Sequence, residues 1–132
     1  MIRMAVPRIL VIEDDDGARD ALACLLEDDG YAVRAAGSGH EGIALAGEFR
    51  PHAIICDYSL PDVDGLEVMR RLRADRADLF VIMVTAGRFD PAGERDLRAE
   101  ADVFLDNPVD LTALRTALVR ATAGDDPVGA FN

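Results

Sequence analysis

The stretch "ILVIEDDDG", residues 9 to 17, decides the fold. Ile9, Leu10, Val11 and Ile12 run straight into four consecutive carboxylates, Glu13, Asp14, Asp15 and Asp16, and then a glycine. Apolar residues on both faces of a short segment predict a central strand in a parallel sheet covered on both sides. Four like charges in a row repel one another, so the cluster needs an explanation. It can cap a helix, bind a cation, or form a solvated loop.

Working outward, short apolar runs alternate with longer amphipathic ones. "RILVI" (8–12), "YAVRAA" (31–36), "AIIC" (53–56), "FVIMVT" (80–85) and "DVFL" (102–105) read as strands. Between them Ala18, Ala21, Leu22, Leu25 and Leu26 follow the stripe of a core-facing helix, which Gly30 stops. Ser38 and Glu41 have capping-box spacing and open a second helix carrying Ile43 and Ala46. A third runs from Gly65 to Arg73 with Leu66, Met69 and Leu72 inward, and residues 91–100 give a polar fourth. Asp110 caps a fifth, whose stripe is Leu111, Leu114 and Leu118. Five βα units with right-handed crossovers give a doubly wound α/β domain. The tail "GDDPVGAFN" reads as disordered or as the start of a linker.

Composition narrows the function. A chain of 132 residues fits one domain with a continuous core. A net charge of -11 with no basic stripe opposes direct nucleic-acid binding. No apolar run reaches the ~18 residues of a membrane span, and the N-terminus lacks a signal peptide's apolar core. Cys24 and Cys56 sit in apolar segments and read as unpaired core thiols of a reducing cytoplasm.

In doubly wound folds ligands gather beyond the carboxyl ends of the strands. Past strand 1 come Glu13, Asp14 and Asp15; past strand 3 comes Asp57; past strand 4, Thr85; past strand 5, Asp106, Asn107 and Pro108. Two carboxylates at ~4 Å repel by about 4 kcal/mol at an effective dielectric near 20, so either one takes a proton or a cation neutralises them. Oxygen ligands without paired His or Cys favour Mg2+ or Ca2+. On this reading Glu13 and Asp14 hold a hydrated metal, while Asp15 or Asp16 caps the first helix. Asp57, ending an apolar strand, is costly to bury without a partner.

These residues resemble the receiver domain of two-component response regulators. "RILVIEDD" is similar to that family's first strand and acidic pair, "CDYSLPDVDGLEVMRRLR" to its phosphoacceptor strand and following helix, and "VIMVTAG" to its fourth strand. The resemblance covers residues 7–122, leaving 123–132 as tail or linker. It implies a flavodoxin-like (β/α)5 sheet in the order 2-1-3-4-5. It further implies that Asp57 accepts a phosphoryl group from a sensor histidine kinase or histidine phosphotransfer protein, and that Asp14, Asp57 and the Ser59 carbonyl ligate Mg2+ with Glu13 acting through water. Thr85 is then the hydroxyl that binds the phosphoryl oxygen, and Phe104 the aromatic switch. The implied partners are an effector or output domain on the helix 4–strand 5–helix 5 face, with room for a phosphorylation-dependent homodimer. The expected setting is the cytoplasm of a bacterium, and the chain a phosphoprotein.

One position departs from the family pattern. Strand 5 is followed by Asn107 where the family has lysine, so a neutral donor replaces a full charge. The preferred reading is a tuned site that still accepts phosphate, with Arg88 as a candidate substitute charge. The alternative is a phosphorylation-independent pseudo-receiver that works as an interaction module. A phosphohydrolase with an aspartyl-phosphate intermediate is disfavoured, because Ser59 stands where haloacid-dehalogenase-like enzymes carry their second Asp; the chain is expected not to be an enzyme. His40 and His52 lie away from the strand ends, and Met69 and Met83 read as core.

Overall fold

A computed structural model of the protein describes residues 6–85 and 91–123. Among the described residues ten elements alternate: β1 (Arg8–Ile12), α1 (Asp16–Asp28), β2 (Ala32–Ala36), α2 (Gly39–Phe49), β3 (Ala53–Asp57), α3 (Gly65–Asp75), β4 (Phe80–Thr85), α4 (Pro91–Glu100), β5 (Val103–Asp106) and α5 (Leu111–Ala123). All strand pairings are parallel, in the order β2-β1-β3-β4-β5. The flavodoxin-like architecture is therefore present.

The central strands are buried on both faces because each face carries its own helical layer. Leu10, Ile12, Ile54, Cys56, Val81 and Met83 point one way, against Ala46, Val68, Met69, Leu72 and Leu97 of α2, α3 and α4. Ile9, Val11, Ile55, Ile82 and Val84 point the other way, against Leu26 of α1 and Leu114, Ala117 and Leu118 of α5. The period of two along each strand produces this division. Cys56 and Asp57 accordingly serve opposite faces.

The helix signals act as read, with one refinement. Asp15 is the N-cap of α1, accepting from the Ala18 N–H at 2.8 Å. Ser38 caps α2 by accepting from Glu41 N–H at 3.2 Å, but the Glu41 carboxylate reaches back to Gly37 N–H at 2.8 Å rather than to Ser38. Asp110 accepts from Thr112 and Ala113 at the start of α5.

Several packing expectations need correction. Ala18, Ala21 and Cys24 are exposed, so the buried line of α1 is narrower than its apolar spacing suggests and Cys24 is not a core thiol. Leu111 is 45% exposed; only Leu114 and Leu118 of that stripe are buried. Strand 5 begins one residue later than expected. Asp102 still donates its N–H to the Val81 carbonyl at 3.0 Å, but the Val81 N–H goes to the Asp102 carboxylate at 2.8 Å in place of a backbone carbonyl, and that carboxylate also accepts from Arg73 at 2.6 Å.

α4 is shallowly rooted. Leu97 is its one buried residue among those described. Its carboxyl end is tied to α3 by the Arg70–Glu100 pair and by Arg73, which donates to the Glu100 carbonyl.

Candidate functional site

The register places the first two acids. Ile12 of β1 pairs with Cys56 of β3, so Glu13 and Asp57 leave the sheet at the same level on neighbouring strands. Adjacent strands lie about 4.8 Å apart, which brings their side chains within reach of each other. One carboxylate oxygen from each of Glu13, Asp14 and Asp57 can be chosen so that all lie within 4.8 Å of one another.

The opening run of four acids is thereby sorted into separate tasks. Asp16 pairs with Arg19 at 2.5 Å, and Asp15 caps α1. Glu13 and Asp14 are left for the rim. Arg19 also donates to the Glu13 carbonyl at 2.9 Å, fixing the backbone from which that side chain projects. The sequence reading assigned Arg19 no role, although its i+3 spacing from Asp16 was a usable signal.

Asp57 is half-buried at the end of β3. The Tyr58 N–H donates to the Val84 carbonyl at 2.9 Å and the Gly65 N–H to the Tyr58 carbonyl at 2.8 Å, so the backbone just beyond Asp57 is held on both sides. A side chain at Gly65 would meet the Asp57 carbonyl at 2.8 Å and the Met83 sulfur at 2.7 Å, which makes glycine a requirement of this turn. The Ser59 N–H donates to Asp57 Oδ1 at 3.0 Å.

Among the described residues the charges at the rim meet few donors. Burial, with the Asp57 charge adding to it, pushes the Glu13 carboxyl up to about 7 against the pull of the Asp15 N–H. Burial likewise raises Asp57, opposed by the Ser59 N–H and by a hydrogen bond with the Glu13 carboxyl, with the Asp14 charge adding to the rise. At an effective dielectric near 20, each close pair of ionised carboxylates repels by about 3–4 kcal/mol. Among the described residues no arginine forms an ion pair with any of the three. Three carboxylates without His or Cys suit a hard divalent cation that keeps some of its waters. The donor set therefore fits Mg2+.

The other expected site residues fall around this rim. Thr85 ends β4 beside Asp57, whose register partner is Val84, and is 5% exposed. Asn107 donates its backbone N–H to the Thr85 carbonyl at 2.8 Å, and the peptide that follows, to Pro108, is cis. Asn107 shares with Glu13 and Asp57 the lining of a cavity of about 350 Å3 between α1 and the start of α5, otherwise walled by apolar groups such as Leu22, Leu25 and Val109. The neutral residue at position 107 belongs to a chain without a single lysine, in which every basic side chain is arginine. Arg88, the candidate substitute charge, lies outside the described residues.

Phe104 stands apart from the acids, on the α2–α3–α4 side of the sheet. The Arg98 guanidinium lies 4.3 Å from its ring centroid and also pairs with Glu94. That cation–π contact, about 0.5–2 kcal/mol in strength, joins α4 to β5 and left no pattern in the sequence reading. His40 pairs with Asp62 at 2.9 Å, and His52 Nδ1 accepts from the Arg8 N–H, both remote from the rim. Burial raises the Cys56 thiol, which keeps it protonated beneath the sheet. No helix among the described residues is long and apolar enough to cross a membrane.

Comparison with known proteins agrees with this geometry. Residues 9–119 match the model of the response regulator receiver domain. Response regulator MprA of Mycolicibacterium vanbaalenii is 40% identical over 127 residues, covering 92% of this chain and 54% of the relative. MprA of Mycobacterium leprae is 39% identical over 124 residues, with 90% and 54% covered. The chain thus spans about half the length of these relatives. Among solved structures, a CheY-like receiver domain protein from Methanospirillum hungatei superposes with a TM-score of 0.83 at 27% identity, covering 92% of this chain and 97% of that one. The chemotaxis protein CheY4 of Vibrio cholerae superposes at 0.79 with 27% identity, covering 89% and 99%. With its sheet order, its acid rim and these relatives in agreement, the chain belongs to the response regulator receiver domain family of two-component systems.

Proposed function

We propose that this receiver domain is a phosphorylation-driven switch in which Asp57 takes a phosphoryl group from a phosphohistidine on a histidine kinase or phosphotransfer protein. An Asp57 carboxylate oxygen attacks phosphorus as the bond to the imidazole nitrogen breaks, and the histidine leaves with that electron pair. Phosphoryl transfer depends chiefly on alignment and charge neutralisation. Mg2+ held by Glu13, Asp14 and Asp57, with the Ser59 carbonyl, supplies that neutralisation when bound.

The chain's own residues do the rest. The hydrogen bonds around Tyr58 fix the direction of the Asp57 side chain. The Ser59 N–H holds one Asp57 oxygen and thereby leaves the other for attack. Thr85 offers its hydroxyl to the phosphoryl group, and Asn107 a neutral donor in place of an ammonium. The phosphoaspartate adds charge and acceptors that draw on Thr85, and the Phe104 rotamer follows, altering the α4–β5–α5 face that effectors or an output domain read. The domain acts in the cytoplasm as a signalling switch and not as an enzyme with turnover of its own.

The observation that carries this reading is the convergence of Glu13, Asp14 and Asp57. A phosphorylation-independent interaction module has no use for three carboxylates held together at such electrostatic expense. The test is the intact mass of the purified chain after exposure to a phosphorylated histidine kinase or a small phosphodonor. One phosphoryl group should appear with Mg2+, none with a chelator, and none on Asp57→Ala. A wild-type chain that stays unmodified in all conditions contradicts the proposal.

A further inference from the structure

Beyond the rim, the loop from Tyr58 to Asp64 is fastened a second time. Asp62 Oδ1 accepts from the N–H groups of Gly39 at 2.8 Å and Val63 at 2.9 Å. Its Oδ2 accepts from His40 N–H at 2.8 Å and lies 2.9 Å from His40 Nδ1. Gly39 and His40 are the first two residues of α2, whose N–H groups have no partner within their own helix. Asp62 therefore caps a helix that begins more than twenty residues earlier in the chain. The approach is so close that a Cβ on Gly39 would stand 2.4 Å from Val63 Cγ2 and 3.2 Å from Asp62 Oδ1.

The loop is thus pinned at both ends. Tyr58 is hydrogen-bonded to β4 and to the start of α3, and Asp62 is bonded to α2. Between the pins lie only Ser59, Leu60 and Pro61, the middle one packed on the core and the last with its φ fixed by its ring. Few free torsions remain between Asp62 and Ser59. The position of Ser59, and through its N–H the orientation of Asp57, is transmitted from α2.

We infer that Asp62 is a positioning residue for the acidic rim, holding the Ser59 segment in place for the cation by anchoring the β3–α3 loop to the N-terminus of α2. The inference rests on the cation-holding reading of the rim. Supporting hydrogen bonds around a metal site are worth roughly 10–100-fold in affinity when lost, and a contact acting through three residues belongs at the low end of that range. Ser38 provides the control, since its hydroxyl caps the same helix by accepting from Glu41 N–H.

The experiment is Mg2+ titration by calorimetry on wild type, Asp62→Ala, Asp62→Asn and Ser38→Ala, with each variant's melting temperature measured alongside. Asp62→Ala should bind Mg2+ roughly tenfold more weakly. Asp62→Asn keeps the oxygen facing Gly39 and Val63 but loses the acceptor facing His40, so it should fall between the two. Ser38→Ala should lower the melting temperature and leave Mg2+ affinity at the wild-type value. Wild-type affinity in both Asp62 variants overturns the inference alone. So does an equal loss in Ser38→Ala, which would make the effect one of general α2 stability. A wild-type chain that binds no Mg2+ refutes the rim reading, and the inference falls with it. If Asp62→Ala fails to fold, Asp62→Asn against Ser38→Ala decides.

Discussion

Asp57 and Asp62 stand five residues apart in one segment, and the protein treats their charges in opposite ways. At the α2 junction, backbone N–H groups of His40, Gly39 and Val63 surround Asp62 and hold its carboxyl down to about 2. At the rim, burial raises Asp57 and pushes Glu13 up to about 7, opposed among the described residues by one N–H donor for each and, for Asp57, by a hydrogen bond with the Glu13 carboxyl. A carboxylate whose charge is met by backbone donors is part of the architecture. One that is gathered with others and left unmet is set for an arriving cation. The distinction lies in the source of the compensating charge, and residue type alone does not reveal it.

The largest expected effect separates the two regions by chemistry. Asp57→Ala abolishes phosphoryl incorporation completely, whereas Asp62→Asn slows it and leaves the site of modification unchanged, as peptide mass mapping would check. Equal loss in both variants would erase the distinction.

Stability should respond with opposite signs. Without Mg2+, Asp57→Asn relieves repulsion at the rim and should stabilise the fold by roughly 1–2 kcal/mol, the pairwise term discounted for solvent screening. Asp62→Ala leaves α2's first N–H groups without their acceptor and should lower the melting temperature. Urea unfolding in a chelator measures both, and destabilisation by Asp57→Asn would break the contrast.

The pH dependence follows the same division. Folding raises Glu13 from its ordinary 4.5 to about 7, so between those values the native state binds more protons than the unfolded chain. Metal-free stability should therefore decline as pH rises from 4.5 to 7. Asp62 works the other way: its contribution is complete above its ordinary 3.8 and is lost as pH falls towards about 2. Chemical denaturation across pH in a chelator reads the first limb, and saturating Mg2+ should flatten it.

The smallest effect concerns Asn107. A charge-assisted hydrogen bond exceeds a neutral one by about 1 kcal/mol, so Asn107→Lys should speed phosphorylation roughly fivefold. A gain of several hundredfold would mark the native site as crippled and would favour the interaction-module reading.

The parts of this account that were legible in the sequence are those fixed locally. Unbroken apolar runs at 9–12, 53–56 and 80–84 can only be central strands, and the acids at their ends name the ligand edge. Asp15, Ser38 and Asp110 announce helix starts through bonds that span three residues. What stayed hidden depends on partners far along the chain. The Asp102 carboxylate takes the Val81 N–H and the Arg73 guanidinium at the start of strand 5, and Asp62 serves a helix that precedes it. Periodicity supplies the spacing of apolar residues but not the width of the surface awaiting them, hence the exposure of Ala18, Ala21 and Leu111. The Arg98 contact with Phe104 joins two elements that separately give no hint of it.

The most direct measurement of the central claim is thermal unfolding of wild type and Asp57→Asn at neutral pH, each with and without millimolar Mg2+. Mg2+ should raise the melting temperature of wild type, Asp57→Asn should raise the metal-free value, and the variant should lose most of its response to the ion. Indifference of the wild type to Mg2+, together with a lower melting temperature for Asp57→Asn, would show that the three carboxylates are ordinary structural acids and contradict the account.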